Sequence, residues 1–287
     1  VLGGVFHAAV LFLVAAGLQL VFGVQKILNL ACGSFYALGA YLGVSAVQWA
    51  VGAGLPPSLF PLALLAAGVA LAALGPPVER LLSATYDRDE SFQLLLTFAL
   101  VLMFEDVIRF TWGTAPHQLG GDVYLVYGRL PLGEGTVPVY NLVVIVASGL
   151  IAAGMGWLLA RTRFGRIVRA TAENRRMAEA LGVDRTRVYR RVFTLGVALG
   201  TVGGALVIPA TAAVNEMGIE LIVEAFAVVV IGGLGSMRGA FVGALIVGLL
   251  RAVAVVVYPE VEMLGVYLIV IAVLVLRPAG LFARVAA

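Results

Sequence analysis

The chain has 287 residues, 62% hydrophobic and 12% charged, with 19 basic side chains, 16 acidic ones and one cysteine, Cys32. Soluble domains carry roughly 25% charged residues, so this composition excludes a soluble globular protein and fits one membrane-embedded bundle. The lone cysteine excludes an intrachain disulfide, and the slight basic excess reads as an orientation signal and not as nucleic-acid affinity.

A spanning helix needs about 20 apolar residues. Val1–Val24 supplies the first, interrupted by His7 and Gln19. No basic stretch precedes it, so a retained helix is expected in preference to a cleaved signal. Ile27–Ala50 holds Asn29, Gly33, Ser34, Gly39 and Gly43. Asn29 and Gly33 predict a break or re-entrant turn, and Gly39–Gly43 is a close-packing GxxxG pair. Ser58–Leu74 is the next predicted span, closed by Gly75-Pro76-Pro77, and Glu79–Glu90 is a mixed-charge loop. Ser91–Phe110 spans again, with Glu105, Asp106 and Arg109 as an interfacial charge cluster near its end. In Thr111–Tyr140, Trp112, Tyr124, Tyr127 and Tyr140 suit an interface belt, and alternation around Val123–Val126 predicts a short hairpin.

Asn141–Ala160 is a span, followed by a charged segment, Arg161–Arg191. Val192–Ala213 spans, with small residues at Gly196, Gly200, Gly203 and Gly204. Asn215–Glu224 reads as a loop carrying Glu216, Glu220 and Glu224. Ala225–Gly235 is short for a span and ends in Gly232-Gly233-Leu234-Gly235; Gly239–Val257 and Met263–Leu276 follow, separated by Tyr258-Pro259-Glu260. The expected fold is therefore an all-α integral membrane bundle of eight to nine segments, some broken or re-entrant, in one domain over residues 1–287. Gly33-Ser34 and Gly235-Ser236 each precede a run of small residues, a weak internal repeat of the kind that points to a transport path.

Arg161–Arg191 holds ten arginines against three acids. Basic loops lie on the cytoplasmic side, which predicts an outside N-terminus and an inside C-terminus. Within the segment, Thr171 can cap a helix and Gly182 can end it. Met177, Ala178 and Leu181 share one side of that helix, Arg175 pairs with Glu179 at i,i+4, and Glu173 with Arg176 at i,i+3. Asp184 can cap the helix that follows. This predicts a compact cytoplasmic knob whose small residues let a partner groove close on it. The plainer reading, that the arginines only orient the chain and touch anionic lipid, asks for no capped helix.

Catalytic signals are absent. The only lysine, Lys26, has no phosphate-cradling GxxxxGK[ST] context, and no HExxH, CxxC or GxSxG occurs. Neither an enzyme nor a cofactor or metal site is expected. If ATP drives this chain, another chain hydrolyses it.

Four blocks, in order, carry a resemblance: Gly17–Gly43, Gly165–Val183 (GRIVRATAENRRMAEALGV), Ala225–Gly248 with its Gly-Gly-Leu-Gly-Ser run, and Leu276–Phe282 (LRPAGLF). Together they resemble the branched-chain amino-acid ABC transporter permeases, of the first of the two permease types. One departure is Cys32, where that family commonly has histidine. The resemblance implies a passive pore subunit in a bacterial or archaeal cytoplasmic membrane. It would work with a second related permease, two ATPase subunits and an extracytoplasmic binding protein, importing hydrophobic amino acids. The residues expected at the ATPase are Thr171, Glu173, Arg175, Arg176, Met177, Ala178, Glu179, Ala180 and Gly182. Those expected on the translocation path are Asn29, Gly33, Ser34, Gly232, Gly233 and Gly235, because unwound backbone offers polar groups to a zwitterion. Two other readings compete: an ion-coupled secondary carrier of small amino acids or amides, which calls for ionisable residues buried mid-membrane, and a structural membrane scaffold.

Overall fold

The computed structural model describes residues 2–86, 88–120, 125–132, 135–257, 262–277 and 280–282. In chain order its helices are α1 (Leu2–Gln25), α2 (Cys32–Gly52), α3 (Phe60–Ala70), α4 (Gly75–Ser83), α5 (Glu90–Trp112), α6 (Val139–Arg161), α7 (Arg163–Glu173), α8 (Arg175–Ala180), α9 (Arg185–Val207), α10 (Met217–Gly232), α11 (Met237–Val257) and α12 (Glu262–Leu276). One antiparallel hairpin pairs β1 (Arg129–Leu132) with β2 (Gly135–Pro138). It lies past the expected position at Val123–Val126, of which 123 and 124 lie outside the described residues, as do Tyr124, the Tyr258-Pro259-Glu260 turn and Arg284.

Six described helical runs are long and apolar enough to cross a membrane: Leu2–Gln25, Pro57–Ser83, Ser91–Trp112, Val139–Arg161, Arg185–Val207 and Met237–Val256. The eight to nine segments expected included α2, α10 and α12. Of these, α2 has 21 residues and no charged side chain but is not among the six, while α10 and α12 have 16 and 15 residues. The second of the six runs corrects the expected end at Gly75-Pro76-Pro77. A 3-10 turn at Leu71–Leu74 joins α3 to α4, and the prolines occupy the first turn of α4, where a missing N–H costs nothing.

Two helices make the centre. α1 is packed by α2, α6, α9, α10 and α11, and α9 by α1, α2, α3 and α4. Lipid tails are as apolar as leucine, so helices in a membrane associate through close packing. Small residues mark these contacts. Gly17 meets the Gly196 backbone, Gly39 meets Thr201, and Gly33 meets Gly218. Buried hydroxyls add to this packing: Thr201 Oγ1 donates to the Gly68 carbonyl at 2.7 Å, and Tyr140 to that of Leu206 at 2.6 Å. Tyr140 is fully buried, so it does not belong to the expected aromatic belt.

The loop after α5 seals the bundle at the end away from the arginines. His117 forms a two-way backbone bridge with Ala213, and its ring packs on Tyr41. Tyr41 donates to Asn215 Oδ1 at 2.8 Å, and Trp112 donates to Ser45 Oγ at 2.8 Å.

Candidate functional site

The arginine-rich hairpin differs from its expected form in where its short helix starts and in which side chains share a face. Thr171 does not cap: it is buried inside α7, its hydroxyl donating to the Ile167 carbonyl at 2.9 Å. The α7 cap is Thr162, whose hydroxyl accepts from Gly165 N. The chain breaks at Asn174, whose Oδ1 accepts from Met177 N at 2.9 Å and caps the short helix α8. Sequence reading missed Asn174 because Thr171 offers an equally good cap three residues earlier; only the burial of Thr171 against the bundle decides between them. The break also separates Glu173 from Arg176, so their spacing is not that of one continuous helix. Three other features stand where they were expected. Gly182 ends α8 with φ 84°, Gly182 N bonding to Glu179 O and Val183 N to Ala178 O, and Asp184 Oδ1 accepts from Arg187 N. Arg175 and Glu179 pair at 3.8 Å.

Met177, Ala178 and Leu181 do not share one side as expected: Ala178 points inward at 3% exposure, while Met177 and, just past the end of α8, Leu181 stand out at 58% and 78%. The hairpin therefore offers two apolar tips on a basic surface. Its base is anchored through Tyr189 of α9. The Tyr189 ring is buried, with the Arg175 and Arg185 guanidinium carbons 5.7 and 5.8 Å from its centroid. The Tyr86 ring meets it edge-on at 5.4 Å. Tyr86 donates to Glu79 Oε1 at 3.0 Å, and Arg190 lies 3.7 Å from Glu79 Oε2, an ion pair too long for a hydrogen bond. Burial, and then the Glu79 carboxylate beside it, push the Tyr86 phenol up, so it keeps the proton it donates. Gln25, at the end of α1, donates to the Tyr189 carbonyl at 3.1 Å. One tyrosine thus ties α8 to the ends of α1 and α4.

Lys26–Ala31 is unwound, which is the break expected near Asn29. Asn29 is buried; its Oδ1 accepts from Ala31 N at 3.1 Å, bracing the turn before α2. Its Nδ2 and Gln25 Oε1 are buried without a hydrogen-bond partner, among only four such side-chain atoms in the described residues. Ser34 lines a small cleft with Ala37, Glu105, Asn215 and Gly218. Gly33 is a packing residue: a Cβ there would lie 2.1 Å from the Gly218 carbonyl oxygen.

The other path candidates occupy the turn between α10 and α11. Gly232 lies against Gly239, and Gly233 and Gly235 have φ 92° and 82°. Both polar edges of this turn are taken by Gln19. Its Nε2 donates to Gly233 O at 2.8 Å and its Oε1 accepts from Gly235 N at 2.5 Å. The C-terminal block joins them, with Leu281 N bonding to Ile231 O and Phe282 N to Gly232 O. Two distant sequence motifs are therefore one structural unit. Gln19 was visible only as a polar interruption of α1, and a buried amide in a span is itself a signal of a specific partner. Gln19→Leu, which leaves both backbone groups unpaired, is expected to cost about 2–4 kcal/mol; a lowered thermal midpoint of the purified protein checks it.

Asn215–Glu224 is not the expected loop, since α10 begins at Met217. Glu224 lies inside that helix, paired with His7 at 2.8 Å and Arg251 at 2.8 Å. The apolar residues around it fold as helix because Met217, Leu221, Ile222 and Ala225 bury one stripe against the bundle.

The family model described as branched-chain amino acid transport system / permease component matches residues 1–276. The chain is 26% identical over 284 residues to the high-affinity branched-chain amino acid transport system permease protein BraD of Pseudomonas aeruginosa, covering 95% of this chain and 91% of that one. It is 26% identical over 294 residues to the corresponding LivH protein of Escherichia coli K12, covering 98% and 94%. It is 28% identical over 262 residues to a probable branched-chain amino acid transport permease of Methanocaldococcus jannaschii, covering 86% and 78%.

Proposed function

The chain belongs to the branched-chain amino acid transport permease family, and from that premise we propose that it forms the translocation path of an ATP-driven importer of hydrophobic amino acids and is driven through α8. Residues 1–287 act as one transmembrane domain, with 161–191 as its coupling loop on the cytoplasmic side of an inner membrane. Two ATPase subunits dock there, a second related permease completes the path, and an extracytoplasmic binding protein delivers substrate. The observation that carries this reading is the capped helix α8 with Met177 and Leu181 exposed on a basic surface. Apolar tips of that size in water are what a partner's groove buries.

Movement of α8 passes through Tyr189 to the end of α1, where the unwound stretch Lys26–Ala31 begins. Asn29, with a buried and unpartnered Nδ2, is the path candidate with the most direct support, and Ser34 stands beside a cleft. Gly33, Gly232, Gly233 and Gly235 serve the path by setting its walls.

The ion-coupled carrier reading draws on Glu224, an ionisable residue paired within the bundle. Two measurements separate the readings. Affinity purification of this chain from native membranes is expected to bring two ATPase subunits and a second permease. Amino-acid uptake by the purified chain alone, in vesicles without ATP, contradicts the importer reading.

A further inference from the structure

Three ionisable side chains from three helices meet inside the bundle. Glu224 of α10 lies 2.8 Å from His7 Nε2 of α1 and 2.8 Å from Arg251 Nη1 of α11, and that Nη1 lies 2.9 Å from the His7 ring. A charge at the centre of a span costs about 2.5–3.5 kcal/mol on insertion, so charges placed within a bundle call for a reason. Holding helices together does not require it, because Gly4 and Gly248 already pack α1 on α11, and Gly232 and Gly239 pack α10 on α11. The cluster is not sealed: the His7 and Arg251 side chains keep 22% and 31% exposure. One turn before Glu224, Glu220 is exposed. A carboxylate there has no place against lipid tails, so this opening faces water or protein. The start of α2 packs on α10 at Gly218 and Ile222.

We propose that Glu224 and Arg251 form a recognition site for the zwitterionic head of the transported amino acid, Glu224 taking the ammonium and Arg251 the carboxylate. The proposal rests on the amino-acid importer reading above and names the groups that such a substrate meets. One acid paired with one base is complementary to a zwitterion. Inserting it exchanges one ion pair for two and leaves the net charge of the site unchanged. The planar guanidinium grips a carboxylate through two parallel hydrogen bonds. His7, bonded to Glu224, is a positioning residue. An apolar acid or amine of the same shape brings only one charge and leaves Glu224 or Arg251 without a partner, so the site rejects it.

The test uses the full chain with its native partners, in cells whose leucine uptake depends on it, and the purified permease complex in nanodiscs with radiolabelled leucine. Isocaproate, which lacks the ammonium, and isoamylamine, which lacks the carboxylate, serve as competitors. Arg251→Lys keeps the ion pair but loses the fork; Glu224→Gln keeps the shape but loses the charge. Both are expected to cut leucine uptake and binding about tenfold or more, with Arg251→Lys at the wild-type membrane level and thermal midpoint. Neither analogue is expected to compete as leucine does. Wild-type uptake and binding in both variants overturn the site and leave the importer reading standing. So does a fall in the thermal midpoint of Arg251→Lys that parallels its loss of uptake, since the cluster is then a structural tie. A wild-type chain that moves no zwitterionic amino acid overturns both readings.

Discussion

Replacing Gly204 with leucine is expected to remove most of the folded protein from the membrane. A Cβ at this position would lie 1.8 Å from the Tyr36 carbonyl oxygen and 3.1 Å from Ala40 N, so α2 and α9 must separate to admit it. Overpacking a well-packed core costs about 1–3 kcal/mol. The value here lies at or above the top of that range, because the obstacle is backbone and no side chain can turn aside. Separation also pulls Thr201 from the Gly68 carbonyl and so loosens α3. The measurement is the yield of monodisperse protein after detergent extraction, with its thermal midpoint. Gly156→Leu on α6 is the control, since nothing lies within 4 Å of a Cβ there, and it is expected to match the parent. Equal yields of the two variants contradict the packing argument.

The double variant Met177→Asp/Leu181→Asp is expected to leave insertion and thermal stability unchanged while abolishing most transport. Both side chains are exposed, so the fold loses little. Desolvated apolar anchors contribute about 2 kcal/mol or more each to docking, so losing one weakens docking about thirtyfold and placing two carboxylates in a partner's groove weakens it several hundredfold, on the order of 4 kcal/mol. The readout is substrate-stimulated ATP hydrolysis together with uptake. Gly182→Leu acts on the same contact by a different route. Its φ of 84° is a left-handed conformation that costs leucine about 1–2 kcal/mol, and the end of α8 shifts to relieve it. Normal uptake in both variants contradicts docking through α8.

The two predictions concern one mechanical line. α8 is joined to Tyr189, Tyr189 to the end of α1 through Gln25, and α1 to the unwound stretch that carries Asn29. The close packing of α2 on α9 holds the other side of that stretch. In the importer reading proposed above, rocking of one group of helices against another would use such rigid contacts.

Much of this was legible in the chain before its structure. Composition determined an all-helical membrane protein, Gly182 and Asp184 the end of one helix and the start of the next, and Asn29 the broken segment, whereas Gly33, expected there too, packs within α2. These are local matters: a span needs only length and apolarity, and a cap only the right side chain beside free backbone groups. Four ordered motifs determined the family for the same reason, since each is read within a few residues of chain. Only the tertiary structure decided which of two good caps, Thr171 or Asn174, stands at the start of α8, since the burial of Thr171 makes that choice. It alone joined Gln19 to Gly233 and Gly235, more than two hundred residues away, and brought the C-terminal Leu281 and Phe282 onto the same turn. It also turned Glu224 from an expected loop acid into the partner of His7 and Arg251. A polar residue in an apolar helix announces that it has a partner, because leaving it bare is costly. It does not say which, because the partner is set by how the helices cross.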